Sequence, residues 1–230
     1  ISPEKSIQIQ LDLGADMIVA FDHLIGLGAE TEAQVKDAFN RTHRWLERCI
    51  VEFKRLTKDM IGPDDPKWYS DLDDRSDFSV SNGTKRTKMY DEASSRNGKS
   101  DMAPKRQSSA TSSAGGQARR VRRPLLFGVV QGGLNIELRK QSLEIVQNSD
   151  VDGIAIGGLS VGETREEMET VLSALAPLYR ADKPRFLLGV GTPEDLKIAV
   201  ENGIDMLDCV LPTRNARHSS VWGIGSKKMT

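Results

Sequence analysis

"PLLFGVVQGGLNIELRKQSLEIVQNS", residues 124–149, decides the fold class. A short apolar stretch closes in two glycines and leads directly into a segment whose apolar residues recur at helical spacing. The same unit follows twice, as "DGIAIGGLSVGE" before "TREEMETVLSALAPLY" and as "RFLLGVG" before "TPEDLKIAVENG". Short apolar strands that alternate with amphipathic helices predict parallel β/α units.

Two more strands extend this pattern. "MIVAF", residues 17–21, precedes a long amphipathic helix over residues 31–56, and "IDMLDCVLPTR", residues 204–214, predicts a buried strand that contains two carboxylates. Nearly continuous apolar runs indicate parallel strands buried on both faces. A doubly wound sheet and a (β/α)8 barrel both fit, although five strands are too few to close a barrel.

A different composition marks the middle of the chain. Residues 55–123 are rich in Ser, Gly, Asn and charge, and they lack a sustained period, so we expect a disordered insertion between barrel segments 1–54 and 124–230. Fifteen Lys and Arg against ten Asp and Glu give the insertion a net charge of +5, against −6 elsewhere. A basic tract can contact nucleic acid, but a solvated linker explains it as well, so no function is assigned there.

The cysteines and the lengths of the apolar runs indicate in which cellular compartment the protein works. Cys49 and Cys209 lack the CxxC spacing or His-rich surroundings typical of a metal site. No apolar run approaches the roughly 18 residues that span a bilayer, and residue 1 opens no signal-peptide pattern. We therefore expect a cytoplasmic protein in a reducing compartment, without contact to a membrane.

Polar residues collect where the predicted strands end. Asp22 follows "MIVAF", Gln131 follows "FGVV", and Asp208 follows "ML". This carboxyl-terminal edge carries the active sites of both candidate folds. A carboxylate with an amide suits the edge of a purine-like heterocycle, and a further carboxylate can attack or stabilise a cationic carbon at a glycosidic centre. Satisfied core polar groups and ordinary turn glycines remain alternatives.

Five motifs carry a specific resemblance. "SPEKSIQIQLDLGADMIVAFD", "FGVVQGG", "IAIGGLSVGE", "LLGVGTPED" and "GIDMLDCVLPTRNAR" occur in this order over nearly all of residues 1–54 and 124–217. Together they resemble the tRNA-guanine transglycosylases, or queuine tRNA-ribosyltransferases. The resemblance implies a (β/α)8 barrel of TIM type. It also implies a pentosyltransferase that exchanges a guanine in the tRNA anticodon loop for queuine or a 7-deazaguanine precursor.

The resemblance also assigns residues. Asp208 matches the nucleophile, which would attack C1′ of the ribose, expel guanine and hold the RNA as a covalent ester. Asp22, Gln131 and Gly158 match the base-binding residues, and Leu159 and Leu188 match the pocket lining. The RNA-contacting segments match Gly189, Val190, Gly191, Thr192, Pro193, Glu194 and Asp195, together with Thr213, Arg214, Asn215, Ala216 and Arg217.

Two departures from the family pattern shape the remaining expectations. The family's "DSGG" motif, with a second catalytic Asp, precedes the segment matched here, and its zinc site of three Cys and one His would fall beyond residue 230. We therefore expect an incomplete barrel with no metal or other cofactor, working as a homodimer or heterodimer. A non-catalytic tRNA-binding accessory subunit, an inactive fragment of the family, and a glycoside hydrolase on a generic barrel stay open as alternatives.

Overall fold

The computed structural model describes residues 1–26, 31–65, 122–222 and 228–229. Strands and helices alternate along the chain, as the repeated unit predicts. In chain order the elements are α1 (Pro3–Asp12), β1 (Met17–Val19), α2 (Glu32–Thr57), β2 (Leu125–Val130), α3 (Ile136–Gln147), β3 (Gly153–Ile156), α4 (Arg165–Leu175), a 3-10 turn (Ala176–Leu178), β4 (Arg185–Leu187), α5 (Pro193–Glu201), β5 (Met206–Leu207), α6 (Leu211–Arg217), β6 (Val221–Trp222) and β7 (Lys228–Met229).

The chain divides into two compact units. One comprises residues 1–59 and 123–230, and the other comprises residues 60–122. Within the second unit, a parallel bridge joins Ile61 to Arg122. Most of the segment predicted to be a disordered insertion, residues 66–121, lies outside the described residues.

Five parallel strands form one sheet, in the order β1-β2-β3-β4-β5. Each strand pairs with the next strand along the chain, whereas a doubly wound sheet reverses its strand order at a switch point. This sequential order is that of half a barrel, so the α/β prediction is confirmed with a parallel half-barrel sheet. None of the described helices has the length and apolar character needed to cross a membrane.

The last strand differs from its prediction. Only Met206 and Leu207 form β5, and both are half-buried. Ile204 is buried, but Val210 is 61% exposed, so the expectation of a buried strand over this stretch is wrong. The reason is position, since among the strands that the structure describes β5 pairs only with β4 and lies at the edge of the sheet.

Side-chain caps fix where the helices after the strands begin. Thr31, Thr164 and Thr192 each accept a hydrogen bond from a backbone N–H in the first helical turn, and a Gln, Glu or Asp three residues on completes a capping box. Asn135 caps α3 in the same way but without the box. The positions of these caps therefore set the length of each connection at the carboxyl-terminal edge of the sheet.

The two faces of the sheet bury different residues. On the helical side, Ile18, Leu126, Ile154 and Leu187 pack with the apolar faces of the helices into the main core. On the other side, a smaller group surrounds Phe127; it consists of Val129 and Ala155 with the half-buried residues Met17, Val19, Leu125, Phe186, Leu188 and Met206. The strict alternation along each strand follows from the period of two in a β-strand.

A side chain closes the outer edge of β1. Gln10 of α1 donates from Nε2 to the Val19 carbonyl at 3.0 Å, and its Oε1 accepts from the Val19 N–H at 2.9 Å. The amide thereby occupies both backbone groups that a neighbouring strand would use. This contact fixes α1 to the strand that ends beside Asp22.

Gly153 offers a test of the second face. A Cβ at this position would lie 2.2 Å from Phe127 Cε1, the ring of the residue paired with it on β2. We expect Gly153→Ala to lower the free energy of unfolding by about 1–3 kcal/mol, because the ring must move out of a filled space. Urea denaturation would measure it.

Val200→Ala provides the control, since Val200 is 62% exposed on α5 and should change stability by less than about 0.5 kcal/mol. A Gly153→Ala protein as stable as the unaltered chain would contradict the packing described here.

Candidate active site

The carboxyl ends of the strands carry the residues proposed from the sequence. Asp22 lies just beyond β1, Gln131 directly follows β2, and Gly158 lies two residues beyond β3. Leu188 directly follows β4, and Asp208 directly follows β5. Because parallel strands share one direction, all of these residues lie at one edge of the sheet.

Asp22 and Gln131 are in direct contact. The Gln131 side chain donates from Nε2 to Asp22 Oδ2 at 2.6 Å. Gln131 is buried and Asp22 is half-buried. Burial raises the pKa of the Asp22 carboxyl above its usual value, and the hydrogen bond from Gln131 opposes part of that rise. The pair places a carboxylate and an amide side by side at the carboxyl-terminal edge of the sheet.

Helix α2 holds the backbone on both sides of Asp22. The Phe21 N–H donates to Cys49 Sγ at 3.3 Å, and the His23 N–H donates to Thr42 Oγ1 at 3.0 Å. The Phe21 ring also stacks on Trp45, with centroids 5.0 Å apart. Cys49 is fully buried, and this burial raises its pKa to about 11, so it packs in the core as a neutral thiol.

A buried relay supports Gln131 from behind. The Gln131 N–H donates to Ser142 Oγ at 3.0 Å, and Ser142 Oγ lies 2.9 Å from His43 Nε2. His43 Nδ1 lies 2.7 Å from the Phe39 carbonyl, which can only accept. Nδ1 therefore carries the proton, and Nε2 accepts from the Ser142 hydroxyl. The sequence offered no partner for His43, because the relay joins two helices.

Gly158 fits closely against this pair. Its φ is +66°, and a Cβ there would lie 2.4 Å from Gln131 Oε1. Glycine is thus required both by the backbone and by the space. Leu159 is 3% exposed in the main core, and Leu188 packs half-buried on the second face of the sheet. Among the predicted base-binding residues, the structure brings Asp22, Gln131 and Gly158 together.

Asp208 is exposed at the end of β5. Its Oδ1 accepts a hydrogen bond from the Gly189 N–H at 2.7 Å, and Gly189 has φ +74°. Within the described parts of the chain, no cation forms an ion pair with Asp208. Asp205, three residues earlier, pairs instead with Arg185 through two hydrogen bonds of 2.7 and 2.9 Å.

The predicted RNA-contacting segments lie on the same edge. Arg214 and Arg217 occupy the last turn of α6 and are exposed. In the other segment, Val190 is fully buried. The Asp195 carboxylate caps α5 and forms an ion pair with Arg165 at 2.6 Å, so both interactions occupy it within the protein. The sequence did not single out Arg165, which joins the start of α4 to this loop.

Metal ligation finds no support in the part of the chain that is described. Those residues contain no group of three or more His, Cys, Asp or Glu side chains arranged to hold a metal ion. We therefore assign no zinc ligand and derive no step through a metal.

Comparison with known proteins gives a consistent family. A family model described as queuine tRNA-ribosyltransferase matches residues 1–81 and 89–223. Among curated proteins, the chain is 34% identical over 220 residues to a queuine tRNA-ribosyltransferase of Prochlorococcus marinus, covering 96% of this chain and 41% of that protein. The namesake protein of Herpetosiphon aurantiacus is 36% identical over 221 residues, covering 96% and 39%. That of a Nostoc species is 35% identical over 227 residues, covering 99% and 43%. The chain thus spans about two fifths of the length of these relatives.

The buried relay predicts a pH-dependent stability. Burial lowers the pKa of His43 below its usual value of about 6.5, so the unfolded chain binds more protons than the folded chain as the pH falls below that value. Neutral His43 makes its full contribution to the free energy of unfolding above about pH 6.5. That contribution is lost as the pH falls toward the pKa of His43 in the folded state. The gap in unfolding free energy between the unaltered chain and His43→Gln should therefore narrow from about pH 8 to about pH 5.

Urea denaturation at both pH values would measure this gap. Thr42→Val is the matched control, because it removes a buried hydroxyl from the same helix without removing a titrating group. The difference in unfolding free energy between Thr42→Val and the unaltered chain should be the same at both pH values. A His43→Gln gap that does not change with pH would contradict the relay.

Proposed function

Since the chain belongs to the queuine tRNA-ribosyltransferase family, we propose that it takes part in exchanging a guanine base of a tRNA anticodon loop for queuine or a 7-deazaguanine precursor. The observation that carries the proposal is the contact between Asp22 and Gln131 beside Gly158, at the sheet edge that also bears Asp208. The activity is proposed for the whole protein, because the chain spans about two fifths of its relatives' length.

The Asp22–Gln131 pair suits a guanine-like base. Asp22 accepts from Gln131 at Oδ2, which leaves Oδ1 for N–H donors such as N1–H and the 2-amino group of guanine. Gln131 has a second Nε2 hydrogen, which can donate to a base oxygen. Guanine and 7-deazaguanine share these donors and this oxygen, so one pocket can serve the departing and the incoming base.

Asp208 is the proposed nucleophile. The Gly189 N–H holds Oδ1, so Oδ2 is the oxygen positioned to attack C1′ of the ribose. In the first step the Oδ2–C1′ bond forms and the C1′–N9 bond breaks, and guanine leaves with the electron pair and takes up one proton. In the second step N9 of the incoming base attacks C1′, loses its proton and releases Asp208. Two displacements retain the configuration at C1′, as in a retaining glycosidase.

Arg214 and Arg217 are the proposed contacts to the RNA. Both guanidinium groups are exposed in the last turn of α6, four and seven residues after Val210. Guanidinium groups bind phosphates through paired hydrogen bonds and stack on unpaired bases. The target nucleotide must leave its stack to bring C1′ to Asp208, as in other enzymes that act on a base.

A covalent adduct would test the nucleophile. The whole protein that contains this chain is mixed with tRNA, denatured, and resolved on a gel that separates RNA-bound from free protein. We expect the unaltered protein to form an adduct and the yield of adduct to fall about a thousandfold or more in Asp208→Asn, because the amide cannot attack C1′. Asp205→Asn is the matched control, since Asp205 is bound to Arg185, and it should keep the adduct.

Two outcomes would contradict the proposal. An adduct that persists in Asp208→Asn would exclude Asp208 as the nucleophile. A folded whole protein that binds tRNA but forms no adduct in any version would instead support a non-catalytic tRNA-binding subunit.

A further inference from the structure

Arg139 is a buried cation that the proposed chemistry does not use. It lies on α3, its side chain is 0% exposed, and no described carboxylate forms an ion pair with it. Burial lowers its pKa to about 10, so it still carries a charge at neutral pH. A buried charge is costly unless hydrogen bonds compensate it.

The guanidinium group binds four backbone carbonyls. Nε donates to Gly133 at 2.7 Å, and Nη1 donates to Val130 at 3.1 Å and to Gly157 at 2.5 Å. Nη2 donates to Gly158 at 2.9 Å. One side chain thus joins the end of β2 to the loop that follows β3. All four carbonyls belong to the edge of the sheet that carries Asp22 and Gln131.

This arrangement fixes the direction of two peptide units. The C=O and N–H of a trans peptide point in opposite directions. Because the Gly157 and Gly158 carbonyls point at Arg139, the N–H groups of Gly158 and Leu159 point away from it. Among the described residues, neither N–H has a hydrogen-bond partner. Two backbone donors are therefore available beside Gln131, whose Oε1 lies 2.4 Å from the position of a Gly158 Cβ.

We propose that Arg139 is a positioning residue, which aims the Gly158 and Leu159 N–H groups at the 6-oxygen of the bound base. The inference rests on the proposed function, since it takes guanine as the ligand. Guanine and 7-deazaguanine share O6, whereas N7 is absent from the latter. O6 lies next to N1–H, the donor assigned to Asp22, so one base can bind Asp22 and these N–H groups together.

The test compares two bases that differ at one atom. 6-Thioguanine keeps N1–H and the 2-amino group but replaces O6 with sulfur, a weak acceptor. Isothermal titration of the chain with each base gives a ratio of dissociation constants, and this ratio does not depend on the fraction of protein that is folded. We expect the unaltered chain to bind guanine about tenfold more tightly than 6-thioguanine.

Two variants of Arg139 should reduce this ratio. Arg139→Met removes all four hydrogen bonds, and the ratio should fall about fivefold, to the preference for oxygen over sulfur that the Gln131 Nε2–H still gives. Arg139→Lys keeps the charge but lacks the planar fork that reaches several carbonyls, so the ratio should fall about threefold. If Arg139→Met does not fold, the ratio of dissociation constants measured for Arg139→Lys alone tests the positioning role.

Arg123→Met is the matched control. Arg123 forms a paired salt bridge with Asp152, at 2.6 and 2.7 Å, at the opposite edge of the sheet. Its loss should lower stability and leave the ratio unchanged. Ratios within twofold of the unaltered value in both Arg139 variants would overturn the positioning role alone. An unaltered chain that binds neither base would overturn the proposed function, and this inference with it.

Discussion

Strand β2 pairs in parallel with β1 on one side and with β3 on the other, and this double pairing brings the site residues together. Val130 lies opposite Ile156, so β2 and β3 end at the same level, whereas β1 ends at Val19, opposite Phe127, three residues before Asp22. Gln131, directly after β2, then comes within hydrogen-bond distance of Asp22 across 109 residues of sequence. A shift of either register by one residue would turn the side chains of a strand to the other face and separate the pair.

The helices hold the ends of these strands in place with polar side chains. Thr42 and Cys49 of α2 accept the backbone N–H groups on either side of Asp22. Ser142 of α3 accepts the Gln131 N–H, and Arg139 of the same helix binds the carbonyls around Gly158. The loops at this edge are thus fixed by buried hydrogen bonds. Breaking such a bond costs free energy, because it leaves a buried polar group without a partner. Such a frame holds the proposed base pocket in shape before its ligand binds.

Much of this architecture could be predicted from the residues. The alternation of apolar strands with amphipathic helices predicted the parallel units, and the strand-end positions of Asp22, Gln131 and Asp208 placed them at one edge. The choice between a doubly wound sheet and a barrel needed the family resemblance, because strand order depends on contacts distant in sequence. The partners of His43 and Arg139 could not be predicted, since Ser142 and Gly158 come from other elements. The exposure of β5 was missed because edge position is a property of the whole sheet.

The central claim is that the carboxyl-terminal edge of the half-barrel binds a guanine-like base between Asp22, Gln131 and Gly158. Titration of the isotopically labelled chain with guanine, followed by amide resonances in two-dimensional NMR, tests it most directly. We expect shifts at Asp22, Gln131, Gly158 and Leu159, and none at Asp152 on the opposite edge. Shifts confined to other parts of the chain, or no shifts in a folded protein, would contradict the account.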